Sequence, residues 1–316
     1  MTYRRFKLDW EQARRRSPLK GLNCIYRVQI MDPRDPEVPL VINRYGKPDL
    51  DGVIEIGMTT DGLRRTNQFE STWYGNGTST EALLGRYAYH KCKALRTLLG
   101  PYERIPGLLR FSYIEGAKEE LPYMEGHAHQ VYSERHAEGP WLNSSVPGKK
   151  GVRQALADLG LVRPAFSPVE EVLSTPRSPE TNMSCVYYVH QLMRDDVTRF
   201  RPAPRIAGTD PEAVVMIGHS NRFALRKSRW RQAILGRQHH TEAECYMYYY
   251  EVSPLMREIV GPRENLPYSY VFTAVRTRPD LVVLRERQAI ARYISIFGEP
   301  PLLNGQIPGK LLYFGI

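Results

Sequence analysis

Cysteine is scarce in this chain: four in 316 residues, at positions 24, 92, 185 and 245, with no Cys-x-x-Cys pair among them. That spacing signals neither a structural zinc site nor a disulfide framework, so the cysteines read as buried thiols. Long apolar runs are missing too, and the basic start "MTYRRFKLDWEQARRRSPLKG" lacks the continuous apolar segment of a secretory signal. The expectation is a cytosolic protein without a membrane partner. No low-complexity tract argues for a disordered body. Acidic residues are outnumbered, 34 against 44 lysines and arginines, which leaves a formal charge of +10. Such an excess attracts phosphate backbones, although clusters such as Arg14–Arg16 and Arg222–Arg231 could equally be solvated faces.

What the chain does have is a second copy of itself. "WLNSSVPGK" from Trp141 returns as "LLNGQIPGK" from Leu302, 161 residues later. At the same offset "RSP" at Arg16 meets "RSP" at Arg177, "CIYRV" at Cys24 meets "CVYYV" at Cys185, and "TEA" at Thr80 meets "TEA" at Thr241. "GPYERIP" from Gly100 meets "GPRENLP" from Gly261, and Glu125 meets Glu286. Chance similarity would drift in register over such a length, so the chain reads as a tandem duplication. The first domain is set at residues 1–155 and the second at 156–316, with a short joint at about 150–167.

Within each copy, "NCIYRVQI" and "DGVIEIGMT" read as short strands, as do "SCVYYVHQL" and "AVVMIGHS". A helix is expected from Thr80 and Glu81 through "ALLGRYAYHKCKALRTLLG", stopped by Gly100-Pro101. "LLRFSYIE" and "YSYVFTAV" supply a third strand, and "YMEGHAHQVYSERHAEG" and "LRERQAIARYISIFG" a second helix. The fold class is α+β: two small units, each a short mixed or antiparallel sheet flanked by helices, arranged as a pseudo-dimer. The segments between the two signature strands, with "NQFESTWYGNGTS" and "RQAILGRQHH" read as loop tips, are candidates for contacting nucleic acid outside the site.

A Cys-Ile-Tyr strand, an Ile-Gly strand, an arginine eight residues beyond that glycine, a helix-borne glutamate and a later asparagine together resemble the GIY-YIG nuclease superfamily. The pattern occurs twice: Tyr26, Gly57, Arg65, Glu125 and Asn143, then Tyr187, Gly218, Arg226, Glu286 and Asn304. The resemblance implies phosphodiester hydrolysis on double-stranded DNA, with Mg²⁺ or Mn²⁺ as the cofactor and no small-molecule cofactor. It makes Tyr26 and Tyr187 general bases or relays, Arg65 and Arg226 holders of phosphoryl oxygens, and Glu125 and Glu286 metal ligands. A free tyrosine, with a pKa of about 10, needs nearby positive charge to act as a base. Asn143 and Asn304 suit a structural task better, tying the closing turn to the sheet through side-chain to backbone hydrogen bonds.

The sequence also departs from that pattern. Glu55 and Met216 stand where the second signature tyrosine is expected, and Phe69 and Trp230 where many members have a histidine. His219 could compensate in the second copy, and His127 or His129 in the first. Glu55 could add a metal ligand or repel phosphate. The leading expectation is an endonuclease with one site per half that cuts both strands as a single chain, a restriction or genome-defence enzyme by analogy. The alternatives are a nucleic-acid-binding protein with decayed sites, and a structure-specific repair or recombination nuclease.

Overall fold

The computed structural model describes Trp10 and residues 20–74, 108–143, 183–237 and 240–304. The expected joint and the helix expected from Thr80 lie outside those residues, as does most of the closing echo. In the first copy, strand β1 (Cys24–Asp32) runs between β3 (Val53–Thr59) and β4 (Leu109–Glu115), both antiparallel to it. A hairpin partner, β2 (Asp35–Pro39), pairs with the far end of β1. Burial of β1 on both faces explains why "CIYRVQIM" reads as a nearly continuous apolar run instead of an alternation. Helix α1 (Gly62–Tyr74) follows β3, and α2 (Leu121–His136) follows β4 and packs on β3.

The second copy repeats this order. Strand β5 (Cys185–Gln191) is followed by a small hairpin of β6 (Ala203–Arg205) and β7 (Gly208–Asp210), then by β8 (Val214–Ser220). Helices α3 (Phe223–Ile234), α4 (Thr241–Val252) and α5 (Pro254–Val260) precede β9 (Tyr270–Arg276) and α6 (Val282–Phe297). β5 lies between β8 and β9, both antiparallel. Even an irregularity is shared: register shifts at Val28/Gln29 against β3 and at Val189/His190 against β8. The described chain is α+β, and among the described residues no helix is long and apolar enough to cross a membrane.

One sequence expectation needs correction. Parts of the supposed loop tips are helical, with Asn67–Tyr74 inside α1 and Arg231–Ile234 at the end of α3, while 75–79, Gln238 and His239 lie outside the described residues. Apolar residues within them seek the core: Phe69, Ala233 and Ile234 are buried, and Phe69 packs edge-on against Phe111. The long segments between signature strands also carry structure of their own. In each, an aspartate closes the turn before the next strand. Asp49 accepts from the Asp51 and Val53 amides and the Tyr132 hydroxyl, and Asp210 from the Glu212 and Val214 amides and the Tyr293 hydroxyl.

Charged contacts also cross between the copies. Arg44 Nη1 donates to Glu299 Oε2 at 3.0 Å, and Arg205 Nη1 lies 3.7 Å from Glu138 Oε2. Arg44 Nε lies 3.2 Å from Glu138 Oε1, and the Tyr45 and Ile206 amides donate to Glu138 and Glu299. All four charged side chains are buried. Arg44 corresponds to Arg205, and Glu138 to Glu299, at the offset of 161.

Candidate active site

Tyr26 stands opposite Gly57 across the β1–β3 pair, and Tyr187 opposite Gly218 across β5–β8. Residues paired this way point to the same face of the sheet, so each tyrosine ring lies over a glycine. A Cβ at either glycine would come within 2.6 Å of the tyrosine Cζ. The Tyr–Gly couple thus has a packing cause, and it sets both hydroxyls at equivalent points.

In the first copy that hydroxyl joins a closed triangle. Tyr26 donates to Glu55 Oε1 at 2.8 Å, Arg65 Nε donates to the Tyr26 oxygen at 2.7 Å, and Arg65 Nη2 donates to Glu55 Oε1 at 2.9 Å. Asp61, whose Oδ1 accepts from the Arg64 amide, secures the start of α1 and so places Arg65 one turn in. Burial, reinforced by the Glu55 charge and only partly opposed by Arg65, pushes the Tyr26 hydroxyl well above its usual range. Glu125, on α2, is raised by burial against the opposing effects of a Met58 backbone hydrogen bond and the Arg65 charge. Tyr26, Arg65, Glu125 and Glu55 therefore share one site.

Asn143 lies apart from that chemistry. Its side chain accepts from the Ile56 amide at 2.8 Å and donates to the Ile56 carbonyl at 2.7 Å. Asn304 does the same to Ile217, at 2.7 and 2.6 Å. His129 is buried on α2, where desolvation lowers its pKa to about 4 despite a hydrogen bond with the Ile56 backbone. A histidine held neutral in this way is poorly suited to carry protons at the site.

The second site is lined differently. Met216 replaces Glu55, and Arg226 Nη1 meets His240 Nε2 at 3.1 Å, with Glu242 on the far side of that ring. Burial raises the Tyr187 hydroxyl; Arg226 opposes the shift, while the charges of Glu242 and Glu286 add to it. Burial acts upward on Glu242, but the His240 hydrogen bond and charge, together with a backbone hydrogen bond and the Arg226 charge, leave a net lowering. Glu286 Oε2 lies 2.8 Å from His219 Nδ1. Beside that pair opens a cleft of about 310 Å³ lined by His219, Asn221, Arg222, Arg226 and Arg229, among others. Three guanidinium groups and an imidazole around one concavity suit a phosphate-sized anion.

No family model, curated protein or solved structure matches the chain.

The argument about a metal therefore rests on the residues. Among the described residues no group of three or more His, Cys, Asp or Glu side chains is assembled to hold an ion. A hard cation such as Mg²⁺ needs less, since one carboxylate can hold it together with water and substrate oxygens. Glu125 and Glu286 fit that smaller requirement, the latter engaging His219 through only one of its oxygens.

Sequence reasoning missed Arg222, Arg229, His240 and Glu242 as neighbours of Arg226. The signal of the two arginines was partly visible: Arg222 caps α3, and Arg226 and Arg229 follow it at helical spacing, hidden while the basic stretch was read only as a charge cluster.

Proposed function

We propose that the chain is a divalent-metal-dependent DNA endonuclease with one site in each copy. One observation carries the reading: tyrosine, arginine and glutamate recur at equivalent places in both copies, with Arg65 bonded to Tyr26 and its charge felt by Glu125, and with the charges of Arg226 and Glu286 both felt by Tyr187. In the reaction, the water oxygen bonds to phosphorus as the P–O3′ bond breaks. The tyrosine hydroxyl, protonated in both sites, acts as a relay: its oxygen takes the water proton as its own proton passes to solvent, and the departing 3′ oxygen takes its proton from solvent. Arg65 and Arg226 hold the phosphoryl oxygens. Glu125 and Glu286 would hold the cation, which supplies Lewis-acid charge to those oxygens when bound.

Duplex DNA as substrate follows from a pseudo-dimer reading. The contacts of Arg44 with Glu299 and of Arg205 with Glu138 are reciprocal, as a two-fold axis between equivalent halves requires. One chain would then present opposed sites to opposed strands, and a restriction or genome-defence role is the analogy that fits. A binding-only protein is the second reading, favoured by the pairing of Arg65 with Glu55, which spends an arginine on a carboxylate. Incubating supercoiled plasmid with the protein, with Mg²⁺ or with chelator, separates the two. Mg²⁺-dependent nicking or linearisation supports the nuclease, and retardation of plasmid on a gel without any cut supports the binder.

A further inference from the structure

Around the shared Tyr–Arg pair, four positions differ between the copies in one electrostatic direction, against one, Arg64 for Leu225, in the other. The first copy has Glu55, Met58, Asp61 and Gln68; at the same offset the second has Met216, His219, Arg222 and Arg229. The consequences are visible in the side chains. Arg65 meets a carboxylate at 2.9 Å and the Tyr26 hydroxyl, with Glu55 almost wholly buried at 2% exposure. Arg226 meets an imidazole and lines a cleft with two further arginines. A phosphate approaching the first site must displace or share the Glu55 partner and also meet its negative charge, whereas the second cleft offers a surplus of donors.

We infer that the two sites are unequal by construction: the C-terminal site cuts its strand first, and the N-terminal site follows slowly because Glu55 restrains Arg65 and Tyr26. This rests on the nuclease reading above. Glu55 is here a restraining residue, and with Met216 at the equivalent position Arg226 has no carboxylate there and meets the His240 imidazole instead.

The test is a time course on supercoiled plasmid with Mg²⁺, following nicked and linear forms. For the wild type, nicked circle should build up before linear product. Glu55→Met, which gives the first site the residue of the second, should shorten the life of the nicked circle by about tenfold, as expected for releasing an arginine to the transition state. Met216→Glu should slow the first nick. Thermal melting of both variants checks that they fold, and the wild-type time course needs no variant at all. Loss of both strands at one rate without a nicked intermediate would overturn the inference alone, as would a longer-lived nicked circle with Glu55→Met. A wild type that cuts neither strand would remove the nuclease reading and this inference together.

Discussion

At the scale of single residues, Gly57 and Gly218 are fixed by the rings above them, and an alanine at either must push the tyrosine or part the strands. Gly218→Ala is expected to cost about 1–3 kcal/mol, the usual range for overpacking, measured as a fall in the urea midpoint. His129 gives a pH dependence with a definite sign. It titrates near 4 in the fold and near 6.5 when unfolded, so between those values the unfolded chain binds more protons. Stability from this group is complete above pH 6.5 and falls as the pH drops towards 4, by up to about 3 kcal/mol. Urea midpoints of the wild type between pH 4 and 7 should therefore decline on acidification, and His129→Gln should flatten that slope.

At the scale of elements, the asparagines hold the ends of the copies to β3 and β8, the strands beside the central ones. Asn304→Ala strands the Ile217 amide and carbonyl, and denaturant unfolding should show a loss of about 1–3 kcal/mol. Strands β1, β3, β5 and β8 were legible because their apolar residues are dense and their neighbours are turn formers. Helices α2 and α6 were legible through length and their glycine or alanine ends. Helices α1 and α3 were not: polar and basic residues are frequent in both, and among Gly62–Ser71 Phe69 is the one buried apolar side chain. Glu55 was visible as a substitution, but its partners were hidden. They depend on the strand register, which sets Glu55 diagonally across from Tyr26 on one face.

At the scale of the whole molecule, the duplication was legible and the buried cluster joining its halves was not, even though Arg44/Arg205 and Glu138/Glu299 are identical pairs at the offset. Charged residues in or beside short connecting segments look solvated until the fold brings them inside. Arg44→Met leaves two buried glutamates short of a partner and should cost about 3–5 kcal/mol, read as a lower calorimetric transition. Arg205→Met should act in the same direction, since it faces the same two carboxylates.

The central claim is that each copy brings its own site. It is tested most directly by plasmid cleavage with Mg²⁺, comparing wild type with Glu125→Ala, Glu286→Ala and the double variant. The account expects linear product from the wild type, nicked circle as the end point of each single variant, and intact supercoiled plasmid with the double. Linearisation by the double variant, or binding by the wild type with no cut in either strand, would contradict it.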